Sequence, residues 1–157
     1  MKITLLAIGK TDNKNLQNLI EDYEKRLKHY VSFNFEIIPD VKNVKNLSEE
    51  QQKDVEGKEI LKRLSSSDSL VLLDEKGTSF NSVDFSQYLQ KKMNSGLKNL
   101  VFVIGGPYGF GKDLYERAHG KLALSSMTFS HQMVRLFFIE QLYRGFTILR
   151  NEPYHHR

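Results

Sequence analysis

The chain contains no cysteine, which removes disulfides, thiolate zinc sites and cysteine nucleophiles at once. It also lacks any long hydrophobic run. The opening MKITLLAIGK holds only a six-residue apolar stretch, residues 3–8, too short for a signal-peptide core and far too short to span a bilayer. It reads as a first strand, in a cytoplasmic protein with no membrane partner. Internal repeats, low-complexity segments and linkers are missing too, so residues 1–157 are expected to form one domain with a sizeable core. Strong charge of either sign is absent. The net charge of +4 tolerates nucleic acid as a partner without requiring it. The basic clusters Lys25–Arg26–Lys28, Lys62–Arg63 and Lys91–Lys92 read first as solvated helix faces.

What is present is a regular alternation. Strand-length apolar runs at 3–8, 33–39, 69–74, 99–104 and 121–125 alternate with helical patterns over 16–27, 48–64, 82–93, 112–118 and 131–148. SLVLLD and NLVFVI are continuous apolar segments, the kind buried on both faces of a parallel sheet. This order predicts an α/β fold, a mostly parallel sheet flanked by helices. Ligands of such sheets sit beyond the carboxyl ends of the strands, which selects the loops after Asp74, Ile104 and Ser125. The last helix leaves almost no polar face between Met133 and Leu149, so it must be covered on more than one side. A helix sandwiched in the core meets that demand, and so does an interface between two copies of the chain. The interface is the preferred expectation, with Phe138 and Leu142 on the shared face.

The segment VFVIGGPYGFGKD (101–113) empties an apolar strand into four glycines within seven residues, a density that points to backbone pressed against a ligand. From Gly106 to Lys112 it follows the phosphate-loop signature, and Asp74 could stand for the magnesium-binding aspartate. Three features oppose that reading. Asp113 replaces the metal-binding hydroxyl, Pro107 removes a backbone N–H donor, and the two elements come in reversed order. The dinucleotide fingerprint fails for want of its third glycine. A plain glycine turn remains the bland alternative.

Taken together, VIGGPYG, LSSMTFSHQMVR, IEQLYRG and the terminal PYHHR resemble the small SPOUT-class methyltransferases, specifically the ribosomal RNA large subunit methyltransferase H family. The resemblance covers essentially the whole chain, with KITLLAIGK and VLLDEKG included. It implies a SPOUT-type fold with a C-terminal trefoil knot and a homodimer. It also implies transfer of a methyl group from S-adenosylmethionine to N3 of a pseudouridine, in helix 69 of 23S ribosomal RNA within the assembled ribosome. Matched residue by residue, cofactor contacts fall on Leu73, Gly105, Leu124, Ser125, Ser126, Met127, Thr128 and Phe129, and no metal is called for.

The target nitrogen is an imide that must lose a proton, so the chemistry asks for in-line positioning and for a base or a cation. Arg144, Tyr154 and His155 are the candidates, with His156 beside them. Arg144 could equally pair with Glu140 four residues earlier. A flexible tail could close over an unpaired base, with its aromatic ring stacked on it. His131 is expected to play a structural or capping role. The chain departs from the family pattern at Ser130, where proline is common, at Gly145, where alanine is frequent, and in the extra His156. A non-catalytic RNA-binding module on the same fold is the competing reading.

Overall fold

The computed structural model describes residues 1–156; Arg157, the end of the PYHHR tail, lies outside them. The elements run in the order β1 (Lys2–Ile8), α1 (Lys14–Leu27), β2 (Ser32–Ile38), α2 (Glu49–Leu61), β3 (Ser69–Ser79), α3 (Ser82–Asn94), β4 (Asn99–Ile104), α4 (Lys112–Arg117), β5 (Gly120–Ala123) and α5 (Met133–Leu149), with one 3-10 turn at Val44–Asn46. The strands form a single sheet, β2-β1-β4-β3-β5, and every pairing is parallel. The α/β fold predicted from the alternation of runs is therefore the fold observed, and it is fully rather than mostly parallel.

Local chemistry sets the helix starts. The Asn13 side chain accepts from the N–H groups of Asn15 and Leu16, Ser48 and Gln51 form a reciprocal capping box, and Asn81 accepts from Asp84 N–H. Alternate strand residues point to opposite faces, and both faces are covered. Ile3, Leu5, Leu100 and Phe102 pack under α1, α3 and α5. Leu6, Ile8, Val101 and Val103 pack under Ile60 of α2 and Leu114 of α4.

The place of α5 corrects the expectation drawn from its composition. It is the middle helix of its layer, lodged between α1 and α3 on the sheet, so three of its sides are apolar without any second chain. Phe138 and Leu142, assigned above to a shared face, are fully buried inside the protomer, and Phe138 lies 4.7 Å from Phe102 between ring centroids. Gly145 lets α3 come close, since a Cβ there would sit 3.0 Å from Leu89 Cδ1.

A second difference concerns β3, which runs on to Ser79 rather than stopping at Asp74. Leu73 and Thr78 both pair with Leu122, so the residues between them bulge out of the ladder. Bulges of this kind re-aim side chains beside sites, and this one lifts Asp74, Glu75 and Lys76 toward the strand ends.

Candidate active site

The three loops selected by the strand-end rule meet in one cleft of about 570 Å³. Seven of the eight residues expected to hold the cofactor line it: Leu73, Gly105, Leu124, Ser125, Met127, Thr128 and Phe129. Ser126 belongs to the same loop but does not face the cleft. The bulge residues, Tyr115 and His131 complete the rim.

Each wall has a local cause. The glycine loop folds back through an antiparallel bridge between Gly106 and Gly109, with Gly109 at φ +79°, a conformation L side chains disfavour. Phe110 tucks beneath it, 3.1 Å from where a Gly105 Cβ would stand. On the facing wall, Asp74 accepts from the Tyr115 hydroxyl at 2.5 Å and from Lys76 N–H. Burial, and then this bond to Asp74, pushes the Tyr115 phenol up to about 12. Thr128 donates to Glu75 at 3.3 Å across the mouth, and Met127 N–H is held by Ser125 Oγ. The phosphate-loop reading falls here, because Lys112 turns outward to pair with Glu116 at 3.6 Å and Asp74 is engaged by Tyr115.

The entry to α5 is organised differently from expectation. The Ser130 hydroxyl, not the His131 side chain, accepts from Met133 N–H. His131 contributes its carbonyl to Arg135 and borders the cleft. Arg135 itself, 1% exposed, donates to the carbonyls of Ile8 and Gly9 and to Thr11 Oγ1. Gln132 adds bonds to Lys10 O and Asp12 N–H. Two side chains thus fasten the end of β1 to the start of α5. Sequence reasoning did not single out either residue, although an arginine within an apolar helix was a signal.

Arg144, Tyr154 and His155 come together in a second cluster, centred on Glu140. Arg144 donates to Glu140 Oε1 at 2.7 and 3.1 Å, so the expected ion pair forms. Tyr154 donates to the same oxygen at 2.9 Å and meets Tyr23 at 3.1 Å, while its ring packs edge-on to Tyr143 and under the Arg144 guanidinium. Burial and these two partners raise the Tyr154 phenol far above its ordinary value. Tyr30 bonds Glu152, so the tail lies docked on its own protomer.

Arg144 Nη1 stands 3.2 Å from His155 Nδ1. A guanidinium only donates, so Nδ1 is the acceptor and the ring proton sits on Nε2. That Nε2 is buried with no partner among the described residues. His155 lines a recess of about 440 Å³, which shares Leu122, Leu124 and Phe129 with the cleft. Arg144 and Tyr154 line neither cavity, and His156 is exposed.

The sequence that builds this all-parallel sheet and its cleft matches a known family. Residues 1–155 match the family described as "Predicted SPOUT methyltransferase", which places the molecule among the SPOUT methyltransferases. Curated relatives narrow that class. The chain is 71% identical, over the whole of both chains, to the ribosomal RNA large subunit methyltransferase H of Flavobacterium johnsoniae. It is 64% identical over the same full span to the protein so named in Christiangramia forsetii. With that of Porphyromonas gingivalis it shares 59% identity over 99% of each chain. The chain belongs to the ribosomal RNA large subunit methyltransferase H family.

Proposed function

We propose that this methyltransferase moves the methyl group of S-adenosylmethionine to N3 of a pseudouridine in helix 69 of 23S ribosomal RNA, acting in the cytoplasm as a homodimer on the assembled ribosome. The observation that carries the reading is the convergence of seven expected cofactor residues on one cleft. The names of the close relatives support ribosomal RNA as the substrate.

The residues present suit the cofactor. The cleft is of ordinary small-ligand size, with Leu73, Ile104, Leu122 and Leu124 as apolar walls and the backbone of the glycine loop as its polar edge. Lys112, the lysine of the apparent phosphate-loop signature, pairs with Glu116 and does not line the cleft. Asp74 and Glu75 on the rim complement a ligand that carries positive charge. When bound, S-adenosylmethionine supplies an electrophilic methyl on sulfur. Leu73, Gly105, Leu124, Ser125 and residues 127–129 hold and orient it, which is where positioning lowers the barrier.

In the C-terminal cluster, Glu140 and Tyr154 fix Arg144, and Arg144 fixes the tautomer of His155. His155 then presents an N–H donor rather than a base. Such a donor, with the nearby arginine, stabilises negative charge that develops on the target ring as N3 loses its proton to solvent and takes the methyl from sulfur. Tyr154 is a positioning residue here, because its hydroxyl is already committed to Glu140. The second copy covers the exposed Met127, Met133 and Phe137, of which Phe137 lines the 440 Å³ recess and Met127 the larger cleft.

Unmodified ribosomes incubated with the protein and methyl-labelled cofactor test this directly. Mass spectrometry of 23S fragments is expected to find label on a helix 69 pseudouridine. Label elsewhere, or calorimetry that detects ATP–magnesium but no S-adenosylmethionine, overturns it.

A further inference from the structure

Glu56 lies on α2, on the sheet face away from α5, and is only 3% exposed. Its carboxylate is seated directly against the glycine loop. The three atoms nearest a Cβ built on Gly106 all belong to Glu56, with Oε1 at 2.6 Å and Cδ at 2.7 Å. No side chain fits at position 106 while the carboxylate stays. Glu56 Oε1 is buried and has no hydrogen-bond partner among the described residues, a condition costly for a polar group and worse for a charged one. The rest of this α2 face continues the contact. Gly57 packs on Leu114, Asp54 approaches Gly111, and Lys53 reaches the cleft lining. Helix α2 is therefore the back wall of the loop.

We propose that Glu56 is a positioning residue for the cleft: its carboxyl, packed on Gly106, holds the glycine loop in the form that receives the ligand. The proposal rests on the reading of the cleft as the S-adenosylmethionine site. The neutral carboxyl is the form that suits an apolar seat without a partner. Burial first, and then the negative charge of Asp40, raises its pKa to about 7.

Asp40, in the link after β2, sits against Gly9 and is the charge that acts on Glu56. Lys53 is drawn to Glu50 at 2.6 Å, and Asp54 lies toward Gly111. Lys112 of α4 pairs with Glu116, while Arg135 of α5 is committed to the end of β1. None of these offers Glu56 a counter-charge. As pH rises through the neutral range, Glu56 ionises in place, and its seat on Gly106 becomes unfavourable.

Calorimetry of S-adenosylmethionine binding at pH 6 and pH 8 tests the idea. A group that titrates near neutrality is roughly one-tenth protonated at the higher pH, so the apparent Kd of the wild type should weaken about tenfold. Glu56→Gln should lose that dependence and keep the tighter value at both pH values. The ligand's own amino group titrates identically in both measurements and drops out of the comparison. Gly106→Ala should lose affinity at either pH, and adding Glu56→Ala should restore most of it by vacating the space. Equal pH profiles for wild type and Glu56→Gln, or a double variant no better than Gly106→Ala, overturn the role of Glu56 alone. A wild type that binds no cofactor at either pH overturns the cleft reading and this proposal with it.

Discussion

At the scale of single residues, the largest structural commitment is Arg135. Its guanidinium satisfies the carbonyls of Ile8, Gly9 and His131 as well as the Thr11 hydroxyl, from a site with almost no solvent contact. Burial lowers its pKa, and Asp12 and Asp40 oppose that effect, so the charge persists. Arg135→Met should destabilise the fold by about 3 kcal/mol or more, since each stranded buried acceptor costs about 1–3 kcal/mol. Urea unfolding measures this, and a loss below about 1 kcal/mol would contradict the role assigned. Arg135→Lys should recover only part, because one ammonium cannot span four acceptors. Arginine 135 and Glu56 were hard to see in the sequence for the same reason. Each is an ionisable residue in a helix whose contacts lie on a distant segment, and no local spacing records those contacts. The three loops that form the cleft were legible because strand ends announce themselves through apolar runs that stop at polar or glycine loops.

At the scale of elements, α5 shows how composition can be read correctly and assigned wrongly. Its nearly continuous apolarity does demand cover on several sides. The cover comes from α1, α3 and the sheet, which periodicity cannot distinguish from a partner chain because both bury the same residues. The bulge in β3 was equally hidden, since DEKGTS (74–79) is too polar to suggest a strand. Only the register with Leu122 shows that pairing resumes at Thr78.

The tail was legible as a motif but not as a docked element. Tyr154 and Glu152 are bonded to Tyr23 and Tyr30 of the protomer's own α1 side. Removal of residues 154–157 should leave the Kd for S-adenosylmethionine within a few-fold of wild type, because Tyr154, His155 and His156 do not line the larger cleft and His155 lines only the recess. Methyl transfer to ribosomes should fall at least about a hundredfold, the usual effect of losing a donor aimed at developing charge. Surviving transfer would remove the roles proposed for Tyr154 and His155.

At the scale of the whole molecule, the apolar surface left over by the core is the best guide to assembly. Met127 is 75% exposed, and Phe137 and Met133 are about 40% exposed. Phe137 lies tilted against Phe129, 5.1 Å between centroids, so the patch adjoins the loop at residues 124–129. Phe137→Glu should yield monomers in sedimentation analysis while it shifts unfolding by less than about 1 kcal/mol, as surface changes do. A dimer that persists in this variant would place the interface elsewhere. Phe138→Glu, in contrast, should unfold the protein, because Phe138 is enclosed on every side.

The bond between Arg135 and the end of β1 has a consequence for synthesis. Contacts between residues 8–12 and 132–135 join segments up to 127 residues apart, and the helix that covers the middle of one sheet face follows every strand in chain order. Long-range contacts of this kind form slowly. A nascent chain therefore displays the bare apolar face of β1 and β4 until α5 has left the ribosomal exit tunnel. Premature termination anywhere before residue 133 would leave that face uncovered, and such fragments should be claimed by chaperones or proteases rather than persist as partly active protein.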